Sequence, residues 1–349
     1  MKIFESLGLR ADGRRLLVLD QTQLPGQEVW LDGGDPDAMI AHIRALRVRG
    51  APLIGVAAAL SLAWYAERGA GESDVRAAAA RLRAARPTAV NLMGAIDRML
   101  EAVTPRLDAD VLVAEAEAIF EEDVALCEAM AGHGAPLLTD GDGVLTHCNT
   151  GGLATVGIGT ALGVIRRAVE RGVRMHVYVD ETRPLLQGAR LTTWELGRCG
   201  IPYTLIADGM APILMRAGRV QRVLVGADRI ARNGDVANKV GTYAVAVAAH
   251  HHGIPFYAVA PWTTVDLGCR DGGEIPIEER PGDEVRGVRG SFGAVQWSPD
   301  NAPVYNPAFD VTPVDLVTAL VLDRGVLTSQ ELRAGGLARL AKPRPVRAV

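Results

Sequence analysis

The sequence predicts an α/β protein in which a smaller, mainly helical N-terminal domain precedes a C-terminal, Rossmann-like domain built on a parallel sheet. Helical periodicity dominates up to residue 130, and from residue 143 short apolar runs alternate with helix-length segments. Apolar strands that alternate with helices are typical of a parallel sheet covered on both faces. We expect domains at residues 1–130 and 131–340, followed by a frayed tail at 341–349.

The N-terminal domain is predicted to open with hairpin-like strands and to continue as helices. Strands are expected at 16–19 and 28–31, and helices near 36–47, 53–68, 73–85, 89–103 and 108–131. The apolar stretch 51–66 is too short and too rich in small side chains to span a bilayer, so we interpret it as a buried helix and expect no membrane partner. Glycine and proline between 132 and 143 predict a break in the helical pattern and the start of the second domain.

Five short apolar runs of the C-terminal domain predict its strands. They lie at 144–147, 174–179, 203–207, 222–225 and 255–259. Parallel sheets bind ligands beyond the carboxyl ends of their strands, and polar residues follow every one of these runs. These polar residues are Cys148 and Asn149, Asp180 to Arg183, Asp208, Asp228 and Arg229, and Pro261 to Thr263. The sequence therefore predicts a ligand site at this edge of the sheet.

Composition and charge favour small-molecule chemistry. The chain has 349 residues, is 48% hydrophobic and carries a formal net charge of -4. It lacks a basic stripe interleaved with aromatics, which argues against a nucleic-acid partner. Its four cysteines are irregularly spaced without a CxxC pair, and its first residues lack the apolar core of a signal peptide. We therefore expect a cytoplasmic protein.

The sequence also argues against a resident cofactor or metal. Gly157, Gly159 and Gly163 resemble a dinucleotide fingerprint, but they lack its spacing and are predicted to lie inside a helix. No P-loop sequence occurs in the chain. The three histidines 250–252 end a predicted helix and have no carboxylate or histidine at ligand spacing, so we expect no metal.

Cys148 lies where an apolar strand ends and a helix of small residues is predicted to begin. Free cysteine is commonly buried and structural. The neighbouring Gly151 and Gly152 and a position at a helix N-terminus favour instead an anion site and a thiolate. His147 would point away from Cys148 on a strand, so we assign it a structural role.

Several long motifs, taken together, point to one family. They are 47–55 (RVRGAPLIG), 86–92 (RPTAVNL), 146–155 (THCNTGGLAT), 180–196 (DETRPLLQGARLTTWEL), 226–230 (GADRI), 233–243 (NGDVANKVGTY), 275–280 (IPIEER) and 306–313 (NPAFDVTP). These motifs resemble the methylthioribose-1-phosphate isomerases, aldose-ketose isomerases of methionine salvage whose fold is shared with regulatory subunits of a translation-initiation exchange factor. The resemblance covers nearly the whole chain.

The resemblance implies an intramolecular oxidoreductase that converts 5-methylthioribose 1-phosphate to 5-methylthioribulose 1-phosphate in methionine salvage from methylthioadenosine. It implies a homodimer without cofactor or metal. Asp228 is implied to be the proton donor, and Cys148 a transition-state stabiliser or proton relay. The residues implied to contact the substrate are Arg49, Gly50, Ala51, Arg86, Gln187, Asn238 and Lys239.

The chemistry of these residue types fits the implied reaction. A sugar phosphorylated on its anomeric oxygen cannot open its ring spontaneously, so an acid must protonate the ring oxygen, and burial can raise the pKa of Asp228 for this task. Arg49 and Arg86 would hold the phosphate through their planar forks. Lys239, one of three lysines in the chain, suggests a site that needs a compact charge. The sequence leaves open whether hydrogen moves from C2 to C1 as hydride or through an enolate.

Two further questions stay open at this stage. The substrate could carry another 5-substituent, as in ribose 1,5-bisphosphate or 5-deoxyribose 1-phosphate, or the chain could be a non-catalytic assembly subunit. The presence of both Cys148 and Asp228 argues against the subunit. Asp180, Glu181 and Arg183 could form a structural ion-pair network or could support the site indirectly.

Overall fold

The structure is a computed structural model that describes residues 1–86 and 89–341. Its mixed composition of helices and parallel strands confirms the predicted α/β class. The chain opens with an antiparallel meander of strands β1 (Phe4–Glu5), β2 (Leu9–Ala11), β3 (Leu16–Leu19) and β4 (Trp30–Asp32). The predicted strand at 16–19 therefore has its expected bounds, and the second predicted strand lies two residues later.

Five helices follow the meander, as the sequence predicts. They are α1 (Pro36–Arg44), α2 (Ala51–Glu67), α3 (Glu72–Arg83), α4 (Val90–Ala102) and α5 (Ala109–Gly134). Helix α2 is buried on nearly all sides because α4 and α5 pack along it, which confirms the interpretation of its apolar sequence. None of the helices within the described ranges is both long enough and apolar enough to cross a bilayer.

Helix α5 corrects the prediction of a break at residue 132. It continues through His133 to Gly134, and the amide of Ala135 still donates to the carbonyl of Ala131. A Cβ atom on Gly134 would lie 2.5 Å from a methyl carbon of Val164, so the glycine permits α5 to pack closely on the neighbouring helix. Gly134 therefore serves helix packing, and Gly132 lies within the helix without ending it.

The rest of the chain supplies thirteen strands and seven helices within the described ranges. The strands are β5 (Gly143–Thr146), β6 (His176–Asp180), β7 (Tyr203–Ile206), β8 (Arg222–Val225), β9 (Arg229–Ala231), β10 (Val236–Lys239), β11 (Phe256–Val259), β12 (Val265–Asp266), β13 (Gly287–Gly290), β14 (Gly293–Gln296), β15 (Phe309–Thr312), β16 (Ala319–Leu322) and β17 (Gly325–Thr328). The helices are α6 (Ala161–Glu170), α7 (Thr193–Arg198), α8 (Ala211–Arg216), α9 (Thr242–His251), α10 (Asp283–Arg286), α11 (Ser329–Arg333) and α12 (Gly336–Ala341). The predicted tail lies outside the described residues, except for its first residue, which ends α12.

Seven of the described strands form one sheet in the order β17-β16-β11-β8-β5-β6-β7. All neighbouring pairs are parallel except β16 with β17. From β5 the chain proceeds to β6 and β7 on one side, and it returns through β8 to β11 and β16 on the other. The strand order thus reverses between β5 and β8, and the loops that follow two such strands diverge and leave a crevice for a ligand.

A small second sheet completes the surroundings of this crevice. Within the described residues its order is β12-β9-β10-β15, and β9 follows β8 after a short loop. In its register Asn238 lies opposite Asp310, and Lys239 lies opposite Phe309. The end of β10 is thereby brought beside the loop after β8.

Alternating side chains of the central strands form the core on both faces of the large sheet. Val144 and Leu224 join one buried cluster, whereas Leu145 and Val223 join the other. The N-terminal helices and the meander form a separate buried cluster around α2. Both faces of the sheet are therefore covered, as the continuous apolar strands predict.

Candidate active site

Cys148 begins the loop after β5 in a left-handed backbone conformation, with φ of 66°. Its amide donates to Thr182 Oγ1 at 2.8 Å, and its carbonyl accepts from Thr192 Oγ1 at 2.6 Å. Positive φ is uncommon for a residue with a side chain and is found mainly where the surroundings enforce it, often at functional sites. The two threonines enforce this conformation and fix the position of the buried thiol.

The helix that the sequence predicts directly after Cys148 is not present. Residues 149–160 form an irregular loop, and α6 begins at Ala161, so Gly157 and Gly159 lie in the loop and Gly163 lies in the helix. Amides of the loop donate to side chains: Gly152 to Glu195 at 2.8 Å, and Val156 to Asp123 at 2.7 Å. Those side chains take the place of the helical carbonyl acceptors, which explains why the run of small residues does not form a helix.

A helix N-terminus would lower the pKa of the Cys148 thiol, but here the pKa is raised. Burial raises the pKa of Cys148, and the positive charges of Arg49 and Lys239 oppose this shift without reversing it. The sulfur atom is therefore a neutral thiol at neutral pH. It can donate or relay a proton, and it does not behave as a preformed thiolate.

Asp228 lies in the loop between β8 and β9, and β8 is the strand next to β5, which precedes Cys148. Its amide donates to the carbonyl of Ala237 at 2.8 Å. Burial raises the pKa of its carboxyl group, while Arg86 and Lys239 favour the charged form. Asp228 and Cys148 also influence each other electrostatically. The thiol and the carboxyl group thus belong to one partly desolvated neighbourhood.

Three cations surround this pair, each held differently. Arg86 is paired with Glu278 Oε2 at 3.2 Å. Lys239 lies over the ring of Phe309, with Nζ 5.3 Å from the centroid, and its burial lowers its pKa. Arg49 has no carboxylate within ion-pair distance among the described residues. Its guanidinium donates instead to the neutral side-chain amides of Gln21 and Asn149. The site therefore concentrates positive charge beside a buried thiol and a carboxyl group of raised pKa.

Two other predicted substrate contacts line two different cavities. Ala51 lines one cavity together with Arg86 and Asp228, and Gln187 lines a second groove together with Arg49. Gln187 is 5% exposed, and its Oε1 atom has no hydrogen-bond partner among the described residues, so it is an available acceptor.

Gly50 and Asn238 are the sequence neighbours of two of the cations, Arg49 and Lys239. Gly50 adopts φ of 97° at the start of α2, directly after Arg49. Asn238 is buried beside Lys239, and its Nδ2 atom donates to Thr242 Oγ1 at 3.0 Å. The remaining lone pairs of its side-chain oxygen can face a ligand hydroxyl.

Other strand-end residues hold the loops instead of facing the crevice. His147 and Asp180 form a buried pair, and the carboxylate of Asp208 accepts the amides of Thr182 and Arg183, both at 2.7 Å. The described residues contain no ion pair of Arg183 with Asp180 or Glu181. The guanidinium of Arg183 binds backbone carbonyls and stacks 4.6 Å from the ring centroid of Trp297. The contacts of His147, Asp180 and Asp208 tie together the loops that follow β5, β6 and β7.

His147, Asp180 and Asp208 come close enough together to suggest a metal site. Both nitrogens of the imidazole are engaged, Nδ1 with Asp180 and Nε2 with the carbonyl of Val240, each at 2.9 Å. Both oxygens of Asp208 accept backbone amides. Asp180 Oδ1 has no hydrogen-bond partner among the described residues, whereas the other donor atoms of this group are already used in hydrogen bonds.

Residues that the sequence reasoning missed include Gln21, Thr192 and Glu195. Two of them lie in the 180–196 motif, whose length was the signal that could have identified them. Gln21 lies outside every motif, and no sequence pattern distinguishes it. Pro261 to Thr263 follow β11 as predicted but do not contact Cys148 or Asp228 within the described ranges.

Comparisons with known proteins agree with this geometry. Residues 47–329 match the model of the Initiation factor 2 subunit family. The methylthioribose-1-phosphate isomerase of Citrobacter koseri is 56% identical over 335 residues, which are 96% of this chain and 98% of that protein. The crystal structure of 5-methylthioribose 1-phosphate isomerase from Pyrococcus horikoshii OT3 superposes with a TM-score of 0.88 at 39% identity, covering 97% of this chain and 96% of that one.

A second solved structure is similar over the same length but carries a different name. The translation initiation factor eIF-2B, subunit delta, from A. fulgidus superposes with a TM-score of 0.82 at 42% identity. The alignment covers 97% of this chain and 99% of that one.

Proposed function

The chain belongs to the Initiation factor 2 subunit family, and we infer from this membership that it is the enzyme that isomerises 5-methylthioribose 1-phosphate to 5-methylthioribulose 1-phosphate in methionine salvage. One observation links this function to the residues of the site. The loops after the adjacent strands β5 and β8 carry a neutral thiol and a carboxyl group of raised pKa, surrounded by Arg49, Arg86 and Lys239. That combination fits a sugar phosphate which needs proton transfer at its ring.

We propose that the cations bind the phosphate. Arginine offers two parallel N–H donors to phosphate oxygens, and the ammonium group offers a compact charge. Desolvation strengthens these interactions because the surrounding dielectric is low. The free acceptor of Gln187 and the buried amide of Asn238 are suited to the hydroxyl groups of the sugar. Gly50 and Ala51 would contact the substrate from the start of α2.

The ring-opening step needs an acid, and we assign that role to Asp228. The carboxyl group gives its proton to the ring oxygen while the bond from that oxygen to C1 breaks. The hydrogen on C2 then moves to C1, as hydride or through an enolate. Loss of the 2-hydroxyl proton leaves the ketone at C2, and that proton can return to Asp228. Protons and electrons balance, so no cofactor is consumed.

Cys148 supports the same steps from the opposite side of the crevice. Its thiol is neutral, buried and fixed by Thr182 and Thr192, so it can stabilise the developing charge or relay a proton. Both assignments, to Cys148 and to Asp228, rest on their burial, their shared neighbourhood and their match to the motifs.

We also propose the domain layout and the assembly. The separate buried cluster around α2 supports a helical domain at 1–130 that precedes a sheet domain at 131–340. Met210 and Ile213 at α8, and Tyr243 and Val247 on the adjacent α9, are large apolar side chains left 43–65% exposed. Such a face supports a homodimer. Light scattering of the wild-type chain and of Ile213→Glu tests this, with a dimer expected for the first and a monomer for the second.

The expected location is the cytoplasm. All four cysteines are free thiols in the structure, and three of them are buried. Free thiols are typical of proteins kept in a reducing compartment. Fractionation of cells that express the full chain would test this, and recovery outside the cytoplasm would contradict it.

A comparison of substrates tests the function. Purified protein is assayed with 5-methylthioribose 1-phosphate, ribose 1,5-bisphosphate and 5-deoxyribose 1-phosphate, and kcat/KM is measured for each. We expect the highest kcat/KM for the methylthio sugar. A higher value for either other sugar would change the assigned substrate, and no turnover of all three would favour an assembly subunit.

A further inference from the structure

The guanidinium group of Arg49 is held by two side-chain amides. Its Nε atom donates to Gln21 Oε1 at 2.9 Å, and its Nη2 atom donates to Asn149 Oδ1. A third, longer bond runs from Nη1 to the backbone carbonyl of Asn149 at 3.4 Å. All of these acceptors are neutral.

Each amide is in turn fixed by an acceptor on its nitrogen. Gln21 Nε2 donates to the carbonyl of Leu153 at 2.7 Å, and Asn149 Nδ2 donates to Glu195 Oε1 at 2.7 Å. Because these nitrogens must face acceptors, the amide oxygens are left to face Arg49. The orientation of both amides is therefore determined by their surroundings.

Glu195 ties this arrangement to the loop that starts at Cys148. The side chain is 6% exposed, and its carboxylate also accepts the amides of Gly152 at 2.8 Å and Leu153 at 3.3 Å. The loop that carries Asn149 and the carbonyl of Leu153 is thus held by one buried carboxylate. Both amides that bind Arg49 depend on it.

The neutrality of the acceptors has a consequence for ligand binding. A carboxylate in direct contact would neutralise the guanidinium and compete with an incoming anion, as Glu278 does at Arg86. Amide oxygens fix the geometry and leave most of the positive charge available. Glu195 compensates the charge of Arg49 only at a distance, through Asn149.

We propose that Gln21, Asn149 and Glu195 are positioning residues that hold Arg49 uncompensated and correctly aimed for the phosphate group of the substrate. This inference rests on the proposed function for the identity of the anion. It adds a residue of the N-terminal meander, Gln21, to the machinery of a site otherwise built from α2 and the strand ends.

Two variants of Gln21 test the proposal. Gln21→Met removes the acceptor at similar volume, and Gln21→Glu keeps an acceptor but adds a negative charge beside Arg49. We expect KM for methylthioribose 1-phosphate to rise about tenfold in each, because a hydrogen bond to a charged group is lost or the charge is neutralised. We expect kcat to change by less than about threefold, because Gln21 does not touch the reacting atoms.

A matched control and a second ligand separate positioning from damage to the fold. Gln23→Met makes the same change two residues away, where the side chain donates to Thr22 Oγ1 at 3.1 Å and not to Arg49. Gln27→Met, at an exposed position outside the groove that Arg49 and Gln187 line, makes the same change and is the second control. Its KM should equal that of the wild type, whereas Gln23 lines that groove and reports only on the change of side chain. The dissociation constant of inorganic phosphate, measured by titration calorimetry, should rise in both Gln21 variants by about the same factor as KM.

Glu195→Gln provides an independent variant if Gln21→Met does not fold. Its new NH2 group would face amide donors, so Asn149 would lose its anchor and KM should rise again. Unchanged KM and phosphate affinity in folded Gln21→Met, or a fall in kcat at constant KM, would overturn the proposal. Failure of the proposed function would look different: the wild type would not turn over the sugar, and phosphate binding would still report on Arg49.

Discussion

Nδ1 of His147 lies 2.9 Å from Oδ2 of Asp180, and both side chains are completely buried. Burial opposes the charge on the imidazole, but the Asp180 carboxylate outweighs this effect and raises the pKa of His147. The other ring nitrogen donates to the carbonyl of Val240 at 2.9 Å. The pair thereby joins the ends of β5, β6 and β10, and these contacts support the structural role predicted for His147.

Removal of His147 should destabilise the protein strongly. His147→Ala leaves Asp180 buried without its partner, and breaking a buried pair in this way costs about 3–5 kcal/mol. Urea unfolding measures the loss. Arg174→Ala removes a partner of exposed Asp140 and should leave the unfolding midpoint nearly unchanged. Similar losses in the two variants would contradict the structural role of His147.

Cys148→Ala and Asp228→Asn should fold normally and lose turnover. General acid–base catalysis contributes about 10²–10⁴-fold, so kcat should fall by that order in Asp228→Asn, and by orders of magnitude in Cys148→Ala. Steady-state assays with circular dichroism on the same samples measure both properties. Cys199→Ala, which changes an exposed cysteine, is the control and should retain wild-type turnover. Near-native rates in either site variant would remove that residue from the mechanism.

Buried Asp123 should make stability decrease as pH rises. Burial raises the pKa of Asp123 from its ordinary value of 3.8 to about 6, although its Oδ2 accepts the amide of Val156. Between these values the folded state binds the proton and the unfolded state does not, so the stabilisation is complete below pH 4 and is lost through pH 6. Asp123→Asn removes this dependence. Two pKa units correspond to about 3 kcal/mol, and parallel stability profiles of the two proteins from pH 4.5 to 8 would contradict the prediction.

Arg86→Ala should weaken substrate binding. Glu278 keeps its second partner, Arg280 at 2.9 Å, so the change mainly removes the cation that faces the crevice. We expect KM to rise by about tenfold or more, because charge-assisted hydrogen bonds to the phosphate are lost. Arg83→Ala is the matched control, since Arg83 pairs with Asp97 on the surface. An equal KM in both variants would exclude Arg86 from phosphate binding.

Gly50→Ala should cost more stability than Gly141→Ala. Both glycines have positive φ, 97° and 87°, so both substitutions introduce backbone strain. A Cβ on Gly50 would lie 2.6 Å from Ala154 Cα, whereas one on Gly141 has nothing within 4 Å. The clash adds about 1–3 kcal/mol to the loss, which urea unfolding can measure. Equal losses would show that α2 shifts freely away from Ala154.

Individual elements show which structural features local sequence patterns can predict. The apolar run at 222–225 is a strand with its predicted bounds, and helix α2 is buried as predicted. The run after Cys148 was predicted as a helix and is a loop, because distant Glu195 and Asp123 accept its amides. A pattern of neighbouring residues contains no information about such partners.

The sequence by itself determined the α/β class, the strand ends that carry polar groups and, through its long motifs, the family, and the same motifs predict the residues of the site. Tertiary structure alone decided which strands are neighbours, and therefore that Cys148 and Asp228 follow the adjacent strands β5 and β8. It also decided that the thiol is neutral and that Gln21 holds Arg49. The physical reason is that burial and hydrogen-bond geometry depend on atoms brought together from distant parts of the chain, whereas strand and helix patterns depend on adjacent residues.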